Sequence, residues 1–142
     1  IVNPGVILGY GDFTKGSIVL FDSVYKGLPF YTNGINGYVD VQDISKVCYQ
    51  LMEQNIFGQR YILCSESISI KTLFYSIAKH LGVKAPQTLI TPLMGEIAWR
   101  LFAIVRLLKL SKFNLTKETA RASQKQYFYN NSKIFLALNF NF

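Results

Sequence analysis

Two pairs of residues have the spacing of a proton-transfer couple: Tyr75 with Lys79, and Tyr129 with Lys133. A lysine ammonium beside a phenol lowers the phenol pKa, so that the tyrosine can exchange a proton with a substrate. With nine tyrosines and 11 lysines in 142 residues, chance alone produces about 0.7 such pairs, so the spacing by itself is weak evidence. Tyr75 and Lys79 also fall opposite the apolar stripe of a helix, which predicts an exposed surface pair.

A glycine-rich stretch at residues 9–14 has part of the pattern of a dinucleotide-binding loop. That loop needs Gly-x-Gly-x-x-Gly between a strand and a helix, where the helix N-terminus holds the pyrophosphate. Here Thr14 replaces the third glycine and the next glycine is Gly16. We therefore expect a plain loop, with the phosphate-binding half of any cofactor site absent from this chain.

The remaining reactive side chains predict no catalytic group and no metal site. His80 is the single histidine, so a hydrolase triad cannot be assembled. Asp40 and Asp43 stand at a predicted helix start, where carboxylates cap free N–H groups. Cys48 and Cys64 lack metal-ligand spacing and lie in apolar patterns, which indicates small hydrophobes in a reducing, cytoplasmic setting.

Strands and helices alternate along one predicted domain, residues 1–142. The pattern favours an α/β (α+β) architecture of short strands with several helices. Strands are expected at 1–8, 30–32, 38–39 (around an Asn33-Gly34 turn signal), 60–64, 87–91 and after Tyr127. Helices are expected at 17–25, from Asp40, at 70–81 between a Ser69 cap and Gly82, from Pro92, after a Thr116 cap, and finally through Leu138.

The net charge of +7 and the pI near 9.5 come from basic residues spread along the whole chain. That distribution favours a solvated surface over a nucleic-acid face. Residues 97–110 form an apolar stretch of 14 residues with three basic side chains. A membrane span needs about 20 apolar residues, so we expect an amphipathic core helix, with an interfacial membrane helix as the alternative.

Four segments, in order, resemble the C-terminal half of the NAD-dependent epimerase/dehydratase group of extended short-chain dehydrogenases/reductases. They are Asn3–Gly9, Gly37–Ile44, Arg60–Leu63 with Ser69–Ile70, and Tyr129–Lys133 with Leu138–Phe140. The resemblance covers nearly the whole chain and is nearest to dihydroflavonol-4-reductase-like members. It implies the C-terminal substrate-binding portion of an extended Rossmann-type dehydrogenase. The apolar opening without an initiating Met is interpreted as a strand entered midway, with the dinucleotide-binding half absent.

The resemblance also assigns roles to single residues. It implies that the backbone of Asn3, Pro4, Gly5 and Val6 passes beside the nicotinamide of NAD or NADP. Asn3 would also face the substrate, and Ser17 would begin the substrate contacts. Proline fixes φ and glycine permits close approach to a flat ring; the alternative for this segment is an ordinary strand-to-loop exit. The family's catalytic Tyr-x-x-x-Lys precedes the Asn-Pro-Gly segment, whereas both pairs in this chain follow it, so no catalytic residue is assigned.

Two departures from the family pattern bear on the substrate. Sugar-nucleotide epimerases usually carry an arginine just before the strand that matches Val39-Asp40, but Asn36, Gly37 and Tyr38 stand here. The lack of that arginine favours a neutral or carbonyl substrate over a nucleotide sugar. Asn139 replaces a usual glycine, and asparagine tolerates the left-handed conformation that glycine would adopt there.

The expected function is therefore the substrate-binding part of an NAD(P)-dependent oxidoreductase, epimerase or dehydratase. Its substrate would be a small carbonyl or sugar-type molecule, and the fragment alone would be inactive. A homodimer is possible in this scheme, whereas nucleic-acid and membrane partners are not expected. The alternative is a non-catalytic binding or interaction module. The two differ in exposed apolar surface along residues 1–8, which a separate module would bury.

Overall fold

The computed structural model describes residues 1–12, 15–97, 100 and 117–142. They form an α/β fold of short strands and helices, as predicted. The strands are β1 Val2–Pro4, β2 Val6–Leu8, β3 Phe30–Tyr31, β4 Ile35–Asp40, β5 Tyr61–Leu63, β6 Glu66–Ser69 and β7 Thr88–Leu89. The helices are α1 Ile18–Tyr25, α2 Val41–Glu53, α3 Ile70–Leu81, α4 (residues 92–97), α5 Lys117–Ala122 and α6 Ser132–Leu138.

The strand predicted over residues 1–8 is divided at Gly5 into two strands that belong to different sheets. β1 pairs in parallel with β5, and β2 pairs in parallel with β4. β4 also pairs antiparallel with β6, which gives a three-stranded sheet of order β2-β4-β6. β3 and β7 form a separate parallel pair. The first eight residues therefore connect two sheets.

Local capping starts α2 and α3, and a left-handed residue ends α3 and α6, where the sequence predicted. The Asp40 carboxylate accepts a hydrogen bond from the Gln42 N–H at 2.7 Å at the start of α2, which is a capping role. The Ser69 hydroxyl accepts one from the Thr72 N–H at 3.0 Å at the start of α3. Gly82 ends α3 with φ +66°, and Asn139 ends α6 with φ +50°. The predicted tolerance of Asn139 for this conformation is confirmed.

Two hydrophobic cores hold the sheets to the helices. The first packs α1 and α3 against the three-stranded sheet, and its buried members are Val24, Tyr38, Leu73, Phe74, Ile77 and Ala78. The second packs α2 and α6 against the β1–β5 pair around Val47, Leu51, Tyr61, Leu63 and Ile134. The chain passes from one core to the other at Gly5.

Several expectations about local structure were wrong. β6 was not predicted, because its residues are mostly polar and it pairs with β4 alone. The Asn33-Gly34 signal makes no hairpin, since β3 and β4 pair with other strands. Leu81, whose spacing predicts a place on the apolar face of α3 with Leu73, Phe74 and Ile77, is 43% exposed. The segment after Tyr127 forms no strand; a single bridge joins Ile35 to Gln126 nearby.

The Thr116 cap, and residues 98–99 and 101–110 of the apolar stretch, lie outside the described residues. Within the described part of the chain, no helix is long and apolar enough to cross a membrane.

Candidate functional site

Gly5 lies at the crossover between the two sheets, in a position that has no room for a side chain. Its N–H donates to the Leu63 carbonyl at 2.9 Å, and a Cβ built on it would lie 2.5 Å from the Gly37 carbonyl oxygen. Gly37 also has no room for a side chain. A Cβ there would lie 2.5 Å from Tyr129 Cδ2 and 2.6 Å from Cys64 Sγ. The backbone at the predicted cofactor edge is thus held by close packing.

The outer edge of β1 is open to a further strand. β1 pairs with β5 and with no other strand among the described residues. The Ile1 carbonyl accepts from the Tyr61 N–H, and the Gly5 N–H donates to Leu63, so odd-numbered residues face β5. By alternation, the N–H and C=O of Val2 and the C=O of Pro4 point outward. Proline has no N–H, so the free edge offers one donor and two acceptors at these two residues.

Asn3 lies on the solvent side of the β1–β5 pair. Val2 packs into the second core, and side chains alternate along a strand, so Asn3 points to the opposite face. Its register partner is Ile62, which is 37% exposed. None of residues 1–8 is buried, and Ile1 is 73% exposed and Ile7 39%. Of the apolar side chains in the first eight residues, Ile1 and Ile7 are thus exposed, whereas Val2, Val6 and Leu8 pack partly on the two cores.

A cleft of about 430 Å³ follows directly after this edge, at the carboxyl ends of β2 and β4. Ligands of open α/β sheets bind in crevices outside the carboxyl ends of their strands. The loop after β2 forms one wall and Val41, the first residue of α2, contributes to the other. A Cβ on Gly9 would lie 2.5 Å from Val41 Cγ1, so glycine is required for the two walls to approach.

The side chains that line the cleft include polar, acidic and basic groups. Its lining includes Tyr10, Asp12, Lys15 and Ser17. Tyr10 is 92% exposed, and the Lys15 N–H donates to the Asp12 carbonyl at 3.1 Å. Hydroxyl, carboxylate and ammonium groups over an apolar floor suit a small polar molecule bearing hydroxyl or carbonyl groups.

The structure brings together only part of the predicted site. Val6 and Ser17 line the cleft, and the Ser17 hydroxyl donates to the Ile7 carbonyl, which ties the start of α1 to β2. Asn3, Pro4 and Gly5 are not part of its lining and form the neighbouring strand edge instead. The assignment of these five residues to cofactor or substrate stays a prediction.

Sequence reasoning missed Tyr10, Asp12 and Lys15 as residues of the site. It treated residues 9–14 as a plain loop once the dinucleotide pattern failed. A useful signal was present, because a glycine-rich loop with an acid and a lysine follows an apolar strand in an α/β pattern. Such a loop belongs at the sheet edge where ligands bind.

Neither Tyr-x-x-x-Lys pair is a coupled pair in the structure. The Lys133 ammonium donates to Gln59 Oε1 at 2.9 Å and lies 5.3 Å from the centroid of the Tyr61 ring, while Tyr129 packs on Gly37. Tyr75 is 41% exposed, and its ring meets Tyr31 edge-on rather than Lys79. The predicted surface position of Tyr75 and Lys79 is confirmed.

The described residues contain no cluster of ligating side chains that could hold a metal ion. Cys64 is 2% exposed, and its thiol donates to the Glu66 carbonyl at 3.4 Å. Burial raises the pKa of Tyr38 above its ordinary value of 10.0. Tyr38 is part of the first core, so this shift reflects packing rather than a catalytic environment.

No protein-family model matches the sequence, and no curated protein sequence matches it. Solved structures do match. The protein gox2253 is 24% identical with a TM-score of 0.70, over 97% of this chain and 42% of that chain.

Two further structures agree with this match. The nucleoside-diphosphate-sugar epimerase PA4631 from Pseudomonas aeruginosa is 21% identical, with a TM-score of 0.68 over 98% of this chain and 41% of that one. The human epimerase family protein SDR39U1, solved with NADPH, is 15% identical, with a TM-score of 0.65 over 99% and 42% of the two chains. The chain has the fold of one part of these Rossmann-type proteins and spans about two fifths of their length.

Proposed function

We propose that this chain is the substrate-binding part of an NAD(P)-dependent oxidoreductase or epimerase that acts on a small carbonyl or sugar-type substrate. The observation that carries the proposal is the continuity of two features in one short segment. The open edge of β1 at Val2 and Pro4 leads through Gly5 into β2, and β2 leads into the 430 Å³ cleft. One short segment, residues 2–8, thus leads from a docking edge to a ligand crevice.

In this scheme a nucleotide-binding part adds a parallel strand to the free edge of β1. Its cofactor then lies against Asn3, Pro4, Gly5 and Val6, because none of these residues is buried and Val6 lines the adjacent cleft. The adjacent cleft receives the substrate. Two of the similar structures support this class of chemistry, since one is a nucleoside-diphosphate-sugar epimerase and another was solved with NADPH.

The direct test is the coding sequence upstream of Ile1. We expect a Gly-x-x-Gly-x-x-Gly loop near its start and a Tyr-x-x-x-Lys segment shortly before Ile1. An unrelated domain in that place would refute the oxidoreductase proposal and favour a non-catalytic interaction module. Turnover of NAD(P) by the 142 residues alone would also refute it, because the phosphate-binding loop and the catalytic pair would then be unnecessary.

A second test uses a chimera in which this chain replaces the matching part of the PA4631 epimerase. Turnover is followed as conversion of a nucleoside-diphosphate sugar to its epimer, since the cofactor is regenerated in each cycle, in the chimera, in an Asn3→Ala variant and in an Asn33→Ala control. Asn33 is an exposed asparagine outside the cleft and the β1 edge. We expect Asn3→Ala to lower kcat/KM at least about tenfold, the effect of losing about 1.4 kcal/mol of transition-state binding, and Asn33→Ala to leave it unchanged.

A further inference from the structure

The outer face of α3 carries a second cleft, distant in sequence from the proposed catalytic segment. It has a volume of about 760 Å³ and is lined mainly by α3, from Lys71 to His80, with Val83 and Ala85 from the segment that follows. Lys71 and Lys79, about two turns apart on α3, both line the cleft, and Val83 and Ala85 add half-buried apolar side chains. The proposed function does not predict which class of ligand this cleft binds.

The charge on this face has a single sign. Residues 67–95 contain no Asp or Glu. Lys71, Lys79 and Lys84 make no ion pair with any described residue. On the neighbouring helix α1, Asp22 is already bound by Lys26 at 2.6 Å. The lysines therefore repel one another with no acidic partner near them in the chain.

Lys71 lies over two aromatic rings, that of Tyr75 in the cleft lining and that of Tyr31 beside it. Its ammonium lies 5.3 Å from the Tyr31 ring centroid and 5.6 Å from that of Tyr75. The two rings meet edge-on with centroids 6.4 Å apart. Because a cation occupies the ring faces, these tyrosines are poorly placed to stack on bases, which argues against single-stranded nucleic acid. A concave cleft also makes little contact with a planar membrane surface.

We propose that this α3 cleft binds an acidic peptide segment of a partner protein. Lys71 and Lys79 are eight residues apart, so their Cα atoms are separated by about 12 Å along the helix axis. An extended peptide advances about 3.3 Å per residue, so carboxylates about four positions apart reach both ammonium groups. An apolar side chain between the two carboxylates then contacts Val83 and Ala85.

The test is a titration of the full chain with Gly-Glu-Ala-Val-Ala-Glu-Gly carrying an uncharged fluorophore, followed by anisotropy. The matched peptide has glutamine at both glutamate positions. We expect saturable binding of the acidic peptide and at least about fivefold weaker binding of the glutamine peptide, because exposed charge pairs contribute little individually but two act together here. Equal binding of the two peptides would overturn the proposal.

Substitutions in the protein test whether the peptide binds at the α3 cleft. Lys71→Gln with Lys79→Gln should weaken binding at least about fivefold, and Lys71→Arg with Lys79→Arg should restore it. Lys26→Gln with Lys46→Gln removes the same charge from α1 and α2 and should change binding less than about twofold. If the two double glutamine variants lost binding affinity equally, the affinity would depend only on net charge, and the proposal would be overturned. So would tighter binding of a uridine oligonucleotide, or of phosphatidylserine vesicles, that requires Lys71 and Lys79.

Discussion

The ring of Tyr129 packs against Gly37, so that a Cβ built on Gly37 would lie 2.5 Å from Tyr129 Cδ2. On the other side, a Cβ on Gly5 would lie 2.5 Å from the Gly37 carbonyl oxygen. The C-terminal segment therefore supports β4, and β4 supports the crossover between the two sheets. Residues more than 120 positions from the predicted cofactor edge help to hold it in place.

Replacing Gly5 with alanine should destabilise the chain, because the added methyl meets backbone that cannot move without displacing β4. Overpacking of this kind costs about 1–3 kcal/mol. The control is Gly11→Ala, since a Cβ on Gly11 has nothing within 4 Å and should change the free energy of unfolding by less than about 0.5 kcal/mol. Urea denaturation followed by circular dichroism measures both. Equal stability of the two variants would show that the crossover is not tightly packed.

Gly37→Ala and Tyr129→Ala should be coupled. Gly37→Ala alone pushes a methyl into the Tyr129 ring, whereas in the Tyr129→Ala background only the contact with Cys64 Sγ at 2.6 Å remains. The cost of Gly37→Ala should therefore fall by at least about 0.5 kcal/mol in that background. A double-mutant cycle of unfolding free energies measures the coupling. The same cycle with Tyr127→Ala should be additive; additivity in both cycles would contradict the proposed support.

The sequence predicted features that depend on neighbours a few positions away, and it missed those that depend on distant ones. The Ser69 cap and the Gly82 stop of α3 are local, so one helical turn of sequence identifies them. The division of the first strand at Gly5 depends on β4 and β5, whose positions appear only when the chain is folded. The cleft was missed for the same reason, because it exists where the loop after β2 meets Val41 of α2.

Ser69→Ala should destabilise α3 by removing its N-cap. The Ser69 oxygen accepts from the Thr72 N–H at 3.0 Å and lies 2.8 Å from the Thr72 hydroxyl. Loss of such a cap costs about 1 kcal/mol. Ser69→Asp retains an acceptor at the positive end of the helix and should stay within about 0.5 kcal/mol of the parent protein. Thermal and urea denaturation should rank the variants in this order; a fully stable Ser69→Ala would mean that packing alone positions α3.

Alkaline pH should lower the free energy of unfolding, because the phenol of Tyr38 is buried in the folded chain. Burial raises the pKa of this phenol above 10.0 in the folded chain, so the unfolded chain releases the proton first as the pH rises. The stabilisation is complete below the unfolded pKa and is lost as the pH rises through the folded pKa. Tyr38→Phe should remove this part of the decline in urea midpoint above about pH 10. Tyr25→Phe, at a side chain that is 64% exposed, should leave it unchanged, and matching profiles for both variants would contradict the assignment.

Amide hydrogen exchange along β1 should distinguish its paired side from its open side. The Gly5 N–H donates to the Leu63 carbonyl at 2.9 Å, whereas the Val2 N–H points to the unpaired edge. In the 142-residue chain we expect Gly5 to be protected at least about tenfold more than Val2, after correction for intrinsic exchange rates, because only the bonded amide requires opening to exchange. When this chain replaces the matching part of PA4631, a strand of the nucleotide-binding part should pair with β1, and the Val2 amide should become protected while Gly5 changes little. Protection of Val2 in the chain alone would mean that β1 is already paired, by a second copy or by undescribed residues. The edge would then be unavailable for the docking on which the proposed function depends.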